Sequence, residues 1–211
     1  MKLKYVIAFI IPLFMLLLHI NVLMYDFSFY QGEFEKLGVY DKYNEEIVDE
    51  NALFVLDYVK HGTNLETDFF NEKEKIHLGD FRNIVRNSVY LLYFTGLVLI
   101  FSVGYLLFVK KYKLLFQSFS LGFIFTLVLL MLLVLGSLIS FSFFFDLFHE
   151  IYPNDLYLLN PGVDNLIVLF PERFFLDISQ RIILYTGISS IVLLLLAIVG
   201  KKRVELWRCR A

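Results

Sequence analysis

Four long apolar stretches without a single charge leave this chain few ways to fold. A bilayer core of roughly 30 Å is crossed by about 20 residues of helix. Residues 5–24, 88–109, 114–145 and 182–200 meet that length without Asp, Glu, Lys or Arg. In lipid every backbone polar group must be paired within the segment, so each stretch predicts a helix. Hydrophobic residues make up 58% of the 211 residues, more than a soluble domain of that size can cover with polar surface. The expected fold class is an all-α membrane protein, with four transmembrane helices and an extracellular cap formed by two outer loops.

The segments follow as a first span over 1–25, an outer segment over 26–87, a second span over 88–109 and a short turn over 110–113. A third span (114–145), a second outer segment (146–180), a fourth span (181–200) and a tail (201–211) complete the chain. Lys2 and Lys4 precede the first span as in a signal peptide. Its apolar core is too long for one, however, and Asn21-Val22-Leu23-Met24 offers no small-residue cleavage site, so it reads as a retained anchor. The third stretch holds 32 uncharged residues. It must tilt, bend near Gly136–Ser137, or emerge at headgroup level as the aromatic run Phe141–Phe145.

Charge orients the spans. Lys2 and Lys4, then Lys110, Lys111 and Lys113, then Lys201, Lys202, Arg203, Arg208 and Arg210 form one side, with Glu205 the single acid there. The other 20 of 21 acids fall within 26–80 and 146–177. The positive side is cytoplasmic by rule, so both termini are expected inside and the two acidic segments outside the cell membrane. Cys209 is the only cysteine, which excludes an internal disulfide and any CxxC site.

Chemistry must lie in the outer segments, because the inner side is only a turn and a tail. A helix is predicted over Asn51–Lys60, with Ala52, Val55, Leu56 and Val59 on one face and Gly62 ending it. Asn71–Val89 reads as an amphipathic approach to the second span, with Ile76, Asp80, Phe81 and Ile84 at helical spacing. Pro153, Pro161, Gly162 and Pro171 predict turns in the second segment, and Asn154, Asp155, Asn160 and Asp164 suit turn bonds there. The aromatics Tyr25, Phe27, Phe29, Tyr30, Phe148, Tyr152, Tyr157, Phe170, Phe174 and Phe175 predict a cap lying against the membrane surface.

The four histidines differ in setting. His19, near the outer end of the first span, is expected to snorkel to the interface, and His61 to sit at a helix C-terminus. In a helix His77 would have Asp80 beside it at i, i+3, a carboxylate able to fix its tautomer and raise its basicity. His149 emerges from the third span between Asp146 and Glu150, hemmed by aromatics. Each also fits a plain surface role. Arg82, Arg86 and Arg173 are expected among lipid phosphates. Neither a nucleophile-elbow motif nor an HExxH pattern is present, and no nucleotide-binding glycine motif or nucleic-acid patch.

The pattern His77-Leu78-Gly79-Asp80, with Phe148-His149-Glu150-Ile151-Tyr152-Pro153-Asn154-Asp155, Asn160-Pro161-Gly162-Val163-Asp164 and Phe170-Pro171-Glu172-Arg173-Phe174-Phe175, resembles the lipoprotein intramolecular transacylases, four-span proteins of Gram-positive bacteria. The resemblance implies an acyltransferase without cofactor or metal, whose partners are diacylglyceryl-modified lipoproteins and membrane lipid. Such an enzyme moves the sn-2 acyl chain to the α-amine of the N-terminal Cys, giving the lyso form. It implies His77 and His149 as the catalytic pair, with Asp80, Asp146, Tyr152, Tyr157 and Arg173 in support. Asp80 favours His77 as the base, leaving His149 to assist the oxyanion and leaving group. A small transporter subunit is disfavoured by spans without charge; a non-catalytic envelope sensor is the other alternative.

Overall fold

The computed structural model describes residues 2–149 and 158–208, and the regular structure among them is helical throughout. The helices are α1 (Leu3–Leu23), α2 (Phe27–Lys36), α3 (Glu45–His61), α4 (Glu72–Phe108), α5 (Tyr112–His149), α6 (Asn165–Leu169) and α7 (Glu172–Arg208). Four of them, α1, α4, α5 and α7, are long and apolar enough to cross a membrane. The 37 residues of α4 span about 55 Å. A bilayer core of about 30 Å therefore accounts for little more than half its length. The chain forms two compact units, one of residues 1–20, 90–135 and 181–211, the other of residues 21–89 and 136–180.

The first unit is a bundle of the apolar helix portions. Between 11% and 33% of each spanning window is buried, and side chains such as Ile100 and Phe101 are exposed. Such a surface is stable only where lipid is the solvent. With no hydrophobic force between helices in lipid, close packing decides which faces meet. Ile7 and Ile11 of α1 meet Leu106 of α4 and Leu115 of α5. A Cβ on Gly122 would come 2.7 Å from Ile11 Cδ1, so glycine is what lets α5 approach α1. Buried hydroxyls return to their own helix: Ser118 donates to the Leu114 carbonyl and Thr126 to the Gly122 carbonyl.

His19 departs from the expectation that it snorkels. Its Nδ1 lies 2.8 Å from the Met15 carbonyl; a carbonyl can only accept, so Nδ1 carries the proton. Thr186 Oγ1 sits 3.2 Å from Nδ1, and Ser189 Oγ 3.2 Å from Nε2, where its hydroxyl donates. The imidazole is thus a polar tie between α1 and α7.

The second unit has its own core. Asn44 caps α3 by accepting the Glu46 N–H at 2.8 Å. Gly62 ends the helix at φ 74°, its N–H returning to the Tyr58 carbonyl. Val48, Ala52, Val55 and Val59 form the apolar buried face of α3; three of the four expected residues are among them, Leu56 is only partly buried, and the helix starts six residues before the expected Asn51. The aromatics differ from expectation. Tyr30, Phe34, Phe170 and Phe174 turn inward into one cluster, with Tyr30 and Phe174 centroids 5.0 Å apart and Phe170 and Phe174 5.3 Å apart. Ring–ring packing within the unit claims side chains that composition alone assigns to the membrane surface.

Two further differences concern α4 and α5. The buried side chains at the start of α4 are Glu74, Leu78 and Val85, whereas Ile76 is exposed, so the inward face is rotated from the expected Ile76–Asp80–Ile84 line. The break in α5 falls at Ser140, with φ −167° and ψ 104°. Its hydroxyl accepts the Phe143 N–H at 3.1 Å. Ser140 thus caps a new helical run rather than Gly136 loosening the old one.

Crowding at Gly122 is testable. Gly122→Ala should lower stability by about 1–3 kcal/mol, read as thermal unfolding in detergent. Ile11→Val, which deletes the crowding Cδ1, should recover part of that loss; an unchanged melting temperature for Gly122→Ala would contradict the packing.

Candidate active site

The start of α4 is fixed by a reciprocal cap. Asn71 Oδ1 accepts the Glu74 N–H at 3.1 Å, and Glu74 Oε2 accepts the Asn71 N–H at 2.7 Å, which satisfies two donors the helix would otherwise leave open. The same carboxylate reaches a second helix: Glu74 Oε1 accepts the Leu166 N–H in the first turn of α6 at 2.5 Å. Glu74 is 1% exposed. A buried carboxylate is tolerated because these backbone donors replace its water.

Around it residues 158–165 are stapled to residues 43–73. Asp164 Oδ1 accepts from the Asn71 amide at 2.8 Å, and Oδ2 accepts the Asn160 N–H at 2.7 Å. The Asn165 amide donates to the Phe69 carbonyl, the Tyr43 hydroxyl donates to Asn165, and Lys73 Nζ donates to the Leu158 carbonyl. The turn roles expected of Asn160 and Asp164 are present, and Gly162 N–H closes the turn onto Asn160 Oδ1 at 2.9 Å. The Asp164 carboxyl is held below the usual carboxylate range. The Asn160 N–H lowers it most, burial opposes this, and Asn71 and Lys73 lower it further.

His77 lies three residues beyond Glu74, and Asp80 one turn further along α4. Both are half-buried and both are engaged in interactions. The Tyr58 hydroxyl approaches Gly79 between them, 3.4 Å from where a Cβ would stand. His149 is the last residue of α5, and its side chain lies outside the described residues, as do Tyr152, Asn154, Asp155 and Tyr157 entirely. The run carrying His149 and the exposed Asp146 is tied to α7, where the Ser142 hydroxyl donates to Glu172 and the Phe145 ring meets Phe175 at 5.4 Å. Residues 77, 80, 146 and 149 all belong to the second unit.

The remaining expected residues have other company. Arg173, expected among lipid phosphates, grips Asp177 through Nη2 at 3.1 Å and Nε at 3.2 Å. Lys36 completes that cluster at 2.7 Å from Asp177 and 3.0 Å from Glu33. Burial pushes the Asp177 carboxyl up, but contacts from Lys36 and Glu33 and the charge of Arg173 leave it below its ordinary value. Arg82 lies over the Tyr58 ring, 5.2 Å from its centroid. With Tyr25, Lys60 and Arg86 it lines a small cleft of about 110 Å³. His61 is exposed, 3.9 Å from Asp57. Among the described residues no group of His, Cys, Asp and Glu is placed to hold a metal. Glu74 escaped sequence reasoning, although the Asn71-x-x-Glu74 spacing is a capping-box pattern.

Residues 5–175 match the family described as Lipoprotein intramolecular transacylase Lit. The chain belongs to this family. It is therefore an acyltransferase of the lipoprotein intramolecular transacylase class. The fold matches the in meso structure of the membrane integral transacylase Lit from Bacillus cereus with a TM-score of 0.85 at 24% identity, covering 97% of each chain. Two variants of that protein, one histidine replaced by arginine or by alanine, match at a TM-score of 0.81 and 24% identity. They cover 97% of this chain and 93% and 94% of theirs. At that identity the likeness establishes the fold, a multi-pass membrane protein. No curated protein matches the sequence.

The Asp164 staple should make this transacylase acid-sensitive. Its folded pKa is depressed, so its stabilisation is full above the ordinary carboxylate value near about pH 4 and fades as pH falls through the lower folded value. Hydrogen-exchange protection of α6 should drop in that window. Asp164→Asn should flatten the dependence and cost about 2 kcal/mol at neutral pH. Equal protection of the variant at pH 7 would refute the staple.

Proposed function

We propose that the enzyme acts on a lipoprotein whose N-terminal Cys carries a diacylglyceryl thioether and a free α-amine, and moves the sn-2 acyl chain onto that amine. The amine nitrogen attacks the ester carbonyl, a C–N bond forms, the C–O bond to glycerol breaks, and a lyso-form lipoprotein leaves. Ester to amide is downhill, so the reaction itself needs no energy source. Amine and ester sit on one molecule, and correct folding of the substrate supplies several kcal/mol of the barrier reduction. Membership of the family over residues 5–175 carries this reading.

His77 and His149 are the proposed catalytic pair. An imidazole titrates near pH 6.5, which suits removal of a proton from the α-ammonium. His77 takes that role, supported by Asp80 one turn along α4. His149 stabilises the tetrahedral oxyanion and returns a proton to the departing glycerol oxygen. Glu74 supports the arrangement, because it clamps the turn preceding His77 to α6. Asp146, Tyr152 and Tyr157 would shape the water-poor surroundings of His149, which limits hydrolysis. Arg173, paired with Asp177, would hold α7 in position rather than touch substrate.

The second unit is the proposed extracellular cap, with segment ends at 26–87 and 146–180 and both termini cytoplasmic. Ten cations with one acid mark the inner side, and the acids of 26–80 and 146–177 mark the outer. Membrane lipid borders the site at the headgroup level.

Mass spectrometry of a lipoprotein N-terminus, co-expressed with this protein in a host lacking N-acylation, tests the activity. The wild type should convert diacylglyceryl-Cys to its N-acyl lyso form. His77→Ala and His149→Ala should each slow conversion by about 10²–10⁴-fold, while His61→Ala retains it. An unaltered free amine with the wild type would end the enzyme reading; normal conversion by His77→Ala would end the assignment of the base.

A further inference from the structure

The end of the first unit that carries the α4–α5 turn holds an open groove with a cavity of about 790 Å³. Lys110, Lys111 and Lys113 from the turn and Arg203 from α7 line it over a floor that includes Phe116 and Val204. All four cations are exposed, and among the described residues none of them pairs with a carboxylate. A volume of this size lies in the range of sites that enclose a small organic ligand.

The turn that presents the lysines is built against local preference. Lys111 N–H returns to the Leu106 carbonyl at 2.9 Å and Lys110 N–H to the Leu107 carbonyl at 3.0 Å, the double closure that ends a helix with a left-handed residue. That residue is Lys110, at φ 55°, where glycine would be unstrained. Lysine here points a charge at the groove that glycine would not supply. Glycine is used instead at Gly200, where a Cβ would stand 2.2 Å from the Phe116 ring. The apolar floor therefore depends on that missing side chain.

We propose that this groove binds the phosphate headgroup of an anionic phospholipid, with the cations on the phosphate oxygens and the apolar floor against the upper acyl chain. The groove lies at the end of membrane-crossing helices, where headgroups are the abundant anions, and cations near such a surface each attract anionic lipid measurably. Tyr112, which also lines it, suits the headgroup level. Its lining residues belong to the first unit, and the proposed transacylation residues to the second.

Native mass spectrometry of the full chain in detergent tests this, with phosphatidylglycerol, phosphatidylcholine or inorganic phosphate added. The wild type should retain phosphatidylglycerol in preference to phosphatidylcholine. Lys113→Gln and Arg203→Gln should each weaken that binding roughly fivefold, and together roughly 25-fold. Lys110→Gly separates binding from folding: the melting temperature should rise as the turn relaxes, while phosphatidylglycerol binding falls roughly fivefold. Equal retention of both lipids, or undiminished binding by the double variant, would overturn the site. Displacement of the lipid by inorganic phosphate at equal concentration would overturn phospholipid as its occupant.

Discussion

Glu74 is a charge buried where charges are costly, and the second unit is organised around satisfying it. Its two oxygens accept backbone N–H groups from the starts of two helices, α4 and α6, that are about ninety residues apart in sequence. Replacing one backbone donor by an apolar contact would strand the carboxylate, at a cost of several kcal/mol. The alternatives available to the two segments of the second unit are thereby reduced to one register. Asp164, Asn71, Asn165 and Lys73 add hydrogen bonds to the same junction. The aromatic cluster of Tyr30, Phe34, Phe170 and Phe174 supplies apolar burial beside it.

Lipid as solvent explains why so much of the fold could be read directly. The spans of α1, α4, α5 and α7 announce themselves because a bilayer demands an uncharged helix of fixed length. Within a span the sequence carries less, since every face is apolar and small residues choose the contact. Gly122 against Ile11 is such a contact. His19 shows the same limit. A histidine near the end of a span reads as interfacial until Thr186 and Ser189, some 170 residues away, are seen to meet it.

In the second unit local rules were legible and long-range ones were not. The stop at Gly62 and the Asn160–Asp164 turn follow from residues close in sequence. The inward face of α4 did not, because a buried Glu74 rotates the helix away from the line that hydrophobicity prefers. The break in α5 likewise follows a hydroxyl at Ser140 rather than the flexibility of Gly136. His77 was conspicuous through Asp80 at i+3; Glu74, which holds the preceding turn, looked like one acid among many in a charged stretch.

Chemistry between an amine and an ester on one substrate asks chiefly for two proton-handling groups held at a fixed separation in a water-poor place. We propose His77 and His149 as that pair; both belong to one unit, and Glu74 holds the turn that precedes His77. Cross-linking measures their proximity most directly. In a Cys209→Ser background, His77→Cys together with His149→Cys should be joined rapidly by a short bismaleimide in membranes, and adding Glu74→Ala should slow the joining markedly. Failure of the pair to cross-link while both cysteines remain reactive to a small maleimide would contradict the two-histidine site.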